Sequence, residues 1–318
     1  MIRSNLHPVT ANGRHATDGR GTSIALRSKE EIDAIGLTGG IVAEAIRAAS
    51  EACEPGTTTA SVALAAQRVL EDRGAEPLAL GTDPDPDTFG ATRFPAAVCV
   101  SVEDVVMHGV PGDQVLLDGQ IVGIDVAARF EGWCADSAIT VPVGRIDERR
   151  RRLLDAVEDL LDTAIDLIRP GVRWSSIARV MQDLAIGAGY GLVEGFAGHG
   201  IGRELHEAPA VPSHMTDGLR GRSDFTLRPG MVLAIEPSLV DAGSISGPAL
   251  RGDGTASGTP VVVDPDGWSI RTLDGAVAAH AEHTIAVGRR GARVLTRSLA
   301  CSADHHHGSG LAGSVIED

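Results

Sequence analysis

The sequence predicts an α+β fold in two pseudo-symmetric halves, an antiparallel sheet with flanking helices, and two observations carry that prediction. A helix, Pro-Gly, helix, Gly phrase occurs twice: Pro55-Gly56 and Gly74 return as Pro170-Gly171 and Gly189, each displaced by 115 residues, and strand-like segments follow each copy. Two unrelated helical hairpins would also produce that pattern. The second observation is four carboxylates inside otherwise apolar, strand-like segments, two after each phrase. A site assembled between the two halves accounts for both.

The elements follow in order. Residues 1–27 are polar and aperiodic and read as a flexible tail. Residues 28–295 read as one domain, with halves of about 28–142 and 143–295, and residues 296–318 as a second flexible tail. Ser28-Lys29-Glu30-Glu31 resembles a capping box, and Ile32, Ile35, Val42 and Ile46 keep helical spacing up to the stop at Pro55-Gly56. A second helix runs from Thr59 to about Arg73. Strands are predicted over 96–102 and 105–108, then a hairpin of 120–130 with 133–141 turning at Glu131-Gly132. The second copy predicts helices over 147–168 and 175–186. Single strands over 231–240, 260–263, 268–272 and 280–287 complete the series, with a Gly/Ser/Asp-rich insertion at 241–259.

Composition bounds the function. A net charge of −15 argues against a general nucleic-acid binder, which shows a basic face. Cys53, Cys99, Cys134 and Cys301 are scattered without a CxxC pair, so they read as free buried thiols. No signal-peptide pattern and no apolar run of spanning length is present, so the expectation is a cytoplasmic protein with no membrane partner. The His305-His306-His307 run reads as a solvated or adventitious patch.

The chemistry lies in the buried acids and one glycine-rich stretch. Asp125 stands in IVGIDVA, Asp136 in WCADSAITV, Glu236 in VLAIEPSL and Glu282 in AHAEHTIAV. An unpartnered buried carboxylate is costly, and with a single lysine in the chain a divalent metal is the economical source of positive charge. Asp125 and Asp136 fall on adjacent strands of the predicted hairpin and on one face. Residues 198–209, GHGIGRELHEAP, are glycine-rich and non-helical and bring His199 and His206 towards one cavity. Two such histidines also fit a loop whose ring nitrogens are simply hydrogen-bonded. Four carboxylates and an imidazole form an O/N donor set suited to paired Mn, Fe, Co or Zn ions, a known device for hydrolysis.

Taken together, VCVSVEDVVMHGVP, GQIVGIDVAARFEGWCADSAIT, GHGIGRELHEAP, RPGMVLAIEP and AEHTIAV resemble the type I, bacterial methionine aminopeptidases of the pita-bread metallopeptidase family, over about residues 28–287. The resemblance implies a pita-bread fold and two divalent metal ions. It implies that Asp125 binds one ion, Asp136 and Glu282 bridge the pair, and His199 and Glu236 complete the other. A bridging water would attack the first peptide bond, with Glu236 as proton shuttle. His108 and His206 would bind substrate and steady the tetrahedral intermediate, and Cys99, Phe94, Leu205 and Trp268 would line the methionine side-chain pocket. The implied partners are N-terminal methionyl peptides and nascent chains, with transient ribosome contact, for a monomeric enzyme. Ala91-Thr92-Arg93 departs from the usual Tyr-His-Gly of that family, which leaves two other expectations open: a prolidase-like or aminopeptidase P-like specificity, or a non-catalytic binding protein on the same scaffold. Glu207 is set aside as a ligand because the four strand carboxylates fill the site.

Overall fold

The computed structural model describes residues 14–84, 92–241 and 259–297. Residues 242–258 of the predicted 241–259 insertion, Ala91, Cys301 and the His305–His307 run lie outside the described residues.

Four helices carry the duplication: α1 (Lys29–Glu51), α2 (Thr59–Asp72), α3 (Glu148–Leu167) and α4 (Trp174–Gly187). The predicted capping box is present at α1, where the Ser28 hydroxyl accepts from the Glu31 N–H and the Glu31 carboxylate accepts from the Ser28 N–H. Thr58 and Asp147 cap α2 and α3 one way only, their side-chain oxygens accepting from the Ser61 and Arg150 N–H groups. Helices α2 and α4 begin and end 115 residues apart, at Thr59 and Trp174, and at Asp72 and Gly187. The glycines of the repeated phrase share left-handed backbone, with φ of +93° at Gly56 and +89° at Gly171, a conformation that strains any side chain. The repeat is therefore a repeat of backbone geometry as well as of letters.

Helix α4 lacks a local cap, since Arg173 at its N-cap offers no side-chain acceptor. Asp224, 51 residues later, supplies it: one carboxylate oxygen accepts from the Ser175 N–H at 3.0 Å, and the other accepts from the Ser175 hydroxyl at 2.6 Å and the Arg173 guanidinium at 2.7 Å.

A nine-stranded, fully antiparallel sheet runs across both halves. In the first half Ile121–Phe130 pairs along its whole length with Trp133–Pro142, and Cys99–Val102 joins the other edge of Ile121–Phe130. In the second, Gly198–Gly200 pairs with Val232–Ile235, which pairs with Glu282–Val287. The halves meet where Glu282 faces Ala138 and His283 faces Ser137. Side-chain hydroxyls reinforce this narrow seam. Thr284 Oγ1 donates to the Asp136 carbonyl at 2.7 Å and accepts from the Asp136 N–H at 3.0 Å, and Thr140 Oγ1 makes the same double bond with the His280 backbone at 2.7 and 2.9 Å. One apolar core lies beneath α1 and α2 and another beneath α3 and α4, around Val42, Val62 and Ile124 and around Leu153, Trp174 and Leu233.

The structure corrects the sequence-based outline in three places. Residues 14–26, assigned to a flexible tail, form an antiparallel hairpin of Arg14–Thr17 with Ser23–Leu26, and Ile24 is buried in the second core. Its turn is closed by Asp18, whose carboxylate accepts from the Arg20 and Thr22 N–H groups, both at 2.8 Å. The predicted strand over 231–240 is two strands in different sheets, Val232–Ile235 and Ser238–Val240, because Pro237 has no N–H to continue a ladder. The strand over 280–287 is likewise broken at Ala281, into Ala278–His280 and Glu282–Val287.

Candidate metal centre

The elements that meet at the seam each deliver one side chain. On the paired strands of the first half, Asp125 faces Ala138 and Asp136 faces Ala127, so the two acids are diagonal neighbours on one face. Glu236 occupies the break after Val232–Ile235, and Glu282 opens its strand beside the seam. His199 is the centre of the three-residue strand Gly198–Gly200, which the sequence marked only as a glycine-rich loop. Its flanking glycines make the strand possible: a Cβ at Gly198 would lie 2.2 Å from the Ala234 carbonyl oxygen, and one at Gly200 2.2 Å from that of Ala208.

Three donor groups, one each from Asp136, His199 and Glu282, lie within 4.8 Å of one another, and all three residues are buried. A second trio, Glu236, His280 and Glu282, satisfies the same limit and shares Glu282 with the first. His199 Nδ1 lies 3.0 Å from the Gly200 carbonyl oxygen, which can only accept, so this nitrogen is the donor there, and Nε2 is the ring atom turned to the cluster, 3.8 Å from Asp136 Oδ2.

A family model described as metallopeptidase family M24 matches residues 34–289. The chain belongs to metallopeptidase family M24. Among M24 relatives it is 37% identical over 276 residues to a methionine aminopeptidase of Aquifex aeolicus, covering 86% of this chain and 99% of that one. The crystal structure of methionine aminopeptidase from Thermotoga maritima superposes with a TM-score of 0.73 at 34% identity, over 86% of this chain and all of that one. Prolidase from Pyrococcus furiosus shares the fold, with a TM-score of 0.63 at 22% identity over 86% of this chain and 65% of that one. The M24 fold is the pita-bread fold, and family membership implies a divalent metal.

The M24 donor set in this chain fits such an ion. Asp136 Oδ1, Glu282 Oε1 and His280 Nε2 are buried with no hydrogen-bond partner, a costly arrangement for groups that a cation would satisfy. Burial, followed by the neighbouring charges of Asp125 and Glu236, pushes the carboxyl of Asp136 well above the usual range; Glu282 is raised in the same way, by burial and then by Asp136, Glu236 and Asp125. Burial also raises Asp125, although His280 and His108 counter it. Burial opposes ionisation of Glu236 too, but His280, His199 and His206 outweigh it and hold that carboxyl below the usual range.

Around this M24 centre the other predicted residues are placed unevenly. The rings of His199 and His206 are 4.4 Å apart and perpendicular, with His199 buried and His206 exposed. His108 holds left-handed backbone at φ +55°, an uncommon conformation away from glycine, and its ring stands 6.2 Å from Phe196. Burial lowers its pKa, partly offset by Asp125 and Glu236. Cys99 is buried opposite Asp125, and burial together with Asp125 and Asp136 holds its thiol well above the ordinary value. Phe94 and Trp268 meet edge to face at 5.2 Å, and Trp268 Nε1 donates to the Thr92 carbonyl at 2.8 Å. Leu205 packs instead against the Trp133, Cys134 and Ile201 cluster. Glu207 serves structure: it pairs with Arg27, and one of its oxygens accepts from the Arg203 and Glu204 N–H groups at 2.9 and 3.2 Å.

Sequence reasoning missed His280 and Phe196. His280 is two residues before Glu282 in an apolar segment, a spacing that places both on one side of an extended chain, and that was the available signal. Phe196 carried none.

Proposed function

We propose that this chain is a two-metal methionyl aminopeptidase that removes N-terminal methionine from peptides and nascent chains in the cytoplasm. The observation that carries the proposal is the buried convergence of Asp136, His199 and Glu282 with orphaned carboxylate oxygens. The similarity to methionine aminopeptidases gives that centre its substrate class. Asp125, Asp136, His199, Glu236 and Glu282 would hold two divalent ions drawn from Co, Mn, Fe or Zn. Bound there, the ions supply an acidified water and polarise a carbonyl.

The chain's own groups account for the rest. Glu236, kept ionised by the surrounding imidazoles, takes up a proton and returns it to the leaving amine. His108 and His206 donate hydrogen bonds to the oxygen that gains charge at the first peptide bond. The raised thiol of Cys99 stays protonated, so together with the Phe94–Trp268 pair it offers an uncharged wall to a thioether side chain. Arg93 brings no charge to that wall, because it turns outward to an exposed ion pair with Asp83 at 2.7 Å.

The test is turnover of Met-Ala-Ser and of X-Pro peptides by purified protein loaded with Mn²⁺ or Co²⁺. Free methionine from the first is expected, and Glu236→Gln or His199→Ala should abolish its release while leaving the circular dichroism spectrum unchanged. Cleavage of X-Pro peptides alone would overturn the methionine reading.

A further inference from the structure

We propose that His280 is a nitrogen donor of the metal centre, in addition to the five side chains assigned above. The inference rests on reading that centre as a metal site and adds a ligand to it.

His280 is 4% exposed, and its Nε2 has no hydrogen-bond partner. Its backbone is clamped on both sides by Thr140 Oγ1, which fixes where the ring emerges. The ring nitrogen lies 3.7 Å from Glu236 Oε2, beyond hydrogen-bond distance. That gap suits a shared ion: two donors each about 2.1 Å from one metal subtend about 120° at such a separation. The His199 to Asp136 distance, 3.8 Å, repeats the same spacing in the first trio. Each trio therefore contains one imidazole and two carboxylates, with Glu282 common to both.

At 3.7 Å the pair is also within ion-pair distance, so the number of bound imidazoles, and not this separation, distinguishes a ligand from a partner that orients Glu236. A second imidazole also has a chemical consequence, because it moves the donor set towards Zn, Co and Fe and away from Mg and Mn.

The experiment counts imidazoles. In the Co²⁺-loaded wild-type protein, proton NMR should show hyperfine-shifted, exchangeable imidazole N–H signals from two histidines, since a ring bound through Nε2 keeps its Nδ1 proton. His280→Gln should remove one and retain the other, while His199→Gln should remove the complementary signal. A single signal in the wild type, or two signals that persist in His280→Gln, overturns the inference, and the wild-type count decides even if the variant does not fold. Affinity alone does not discriminate, because loss of an outer-shell partner also costs about 10–100-fold. Failure of Co²⁺ to bind at all would instead sink the reading of the centre as a metal site.

Discussion

Glu282→Gln should stabilise the metal-free protein and abolish the stabilisation that divalent ions confer. In the metal-free protein the facing oxygens of Asp136 and Glu282 lie within 4.8 Å. Two unit charges at that distance repel by about 3.5 kcal/mol at an effective dielectric near 20. The folded protein avoids part of this by retaining a proton, so a gain of about 1–3 kcal/mol is expected. For a chain of this size each kcal/mol moves the melting temperature by roughly 2–4 °C. The sign with pH follows. Glu282 is raised in the folded state, so the folded protein binds more protons than the unfolded one between the two pKa values. Metal-free wild type therefore loses stability as pH rises above the ordinary carboxylate range, and the variant should show a flatter dependence. Added Co²⁺ reverses the order, because an ion at 100 times its Kd contributes about 2.7 kcal/mol to the wild type. Thermal melts in chelator and in Co²⁺ provide the check. A variant less stable than wild type in chelator refutes the electrostatic argument.

Three further outcomes are expected. Asp224→Asn should cost about 2–3 kcal/mol in urea denaturation, since it removes the charged cap of α4. Burial opposes the Asp224 charge, but Ser175 and Arg173 outweigh it and lower its pKa, so its contribution is present above the ordinary Asp value near 3.9 and lost as pH falls through the folded one. Glu207→Gln should destabilise by about 3–5 kcal/mol by denaturant titration, because it leaves Arg27 buried without its counter-charge. Thr284→Val should cost about 1–3 kcal/mol by removing both bonds to the Asp136 backbone, and should weaken Co²⁺ binding in calorimetry.

Much of this site was legible because buried charge is costly and stands out against apolar sequence. Of the four carboxylates singled out for that reason, Asp136, Glu236 and Glu282 fall in the two donor trios and Asp125 does not, and the repeated Pro-Gly and Gly positions exposed the two halves because their glycines hold left-handed backbone. What stayed hidden depends on long-range partners. The strand character of Gly198–Gly200 comes from backbone approach by Ala234 and Ala208, which no local pattern records. The hairpin at 14–26 is too short for periodicity to register, and its ordering depends on burial of Ile24 beneath the second half. Leu205 shows the converse: a matching position in the motif did not establish which apolar cluster its side chain joins.

The seam has an architectural consequence. The two halves share one sheet, yet the ladder that joins them spans only Glu282–Ala138 and His283–Ser137 before threonine and serine hydroxyls take over. A hydroxyl clasp holds strands together while letting them splay, whereas a full ladder would draw them parallel and close the gap between them. The join between the halves is therefore carried largely by Thr140, Ser137 and Thr284, whose hydroxyls reach backbone carbonyls across it. A substitution at any of the three would therefore loosen one half against the other while leaving every metal-donor side chain in place.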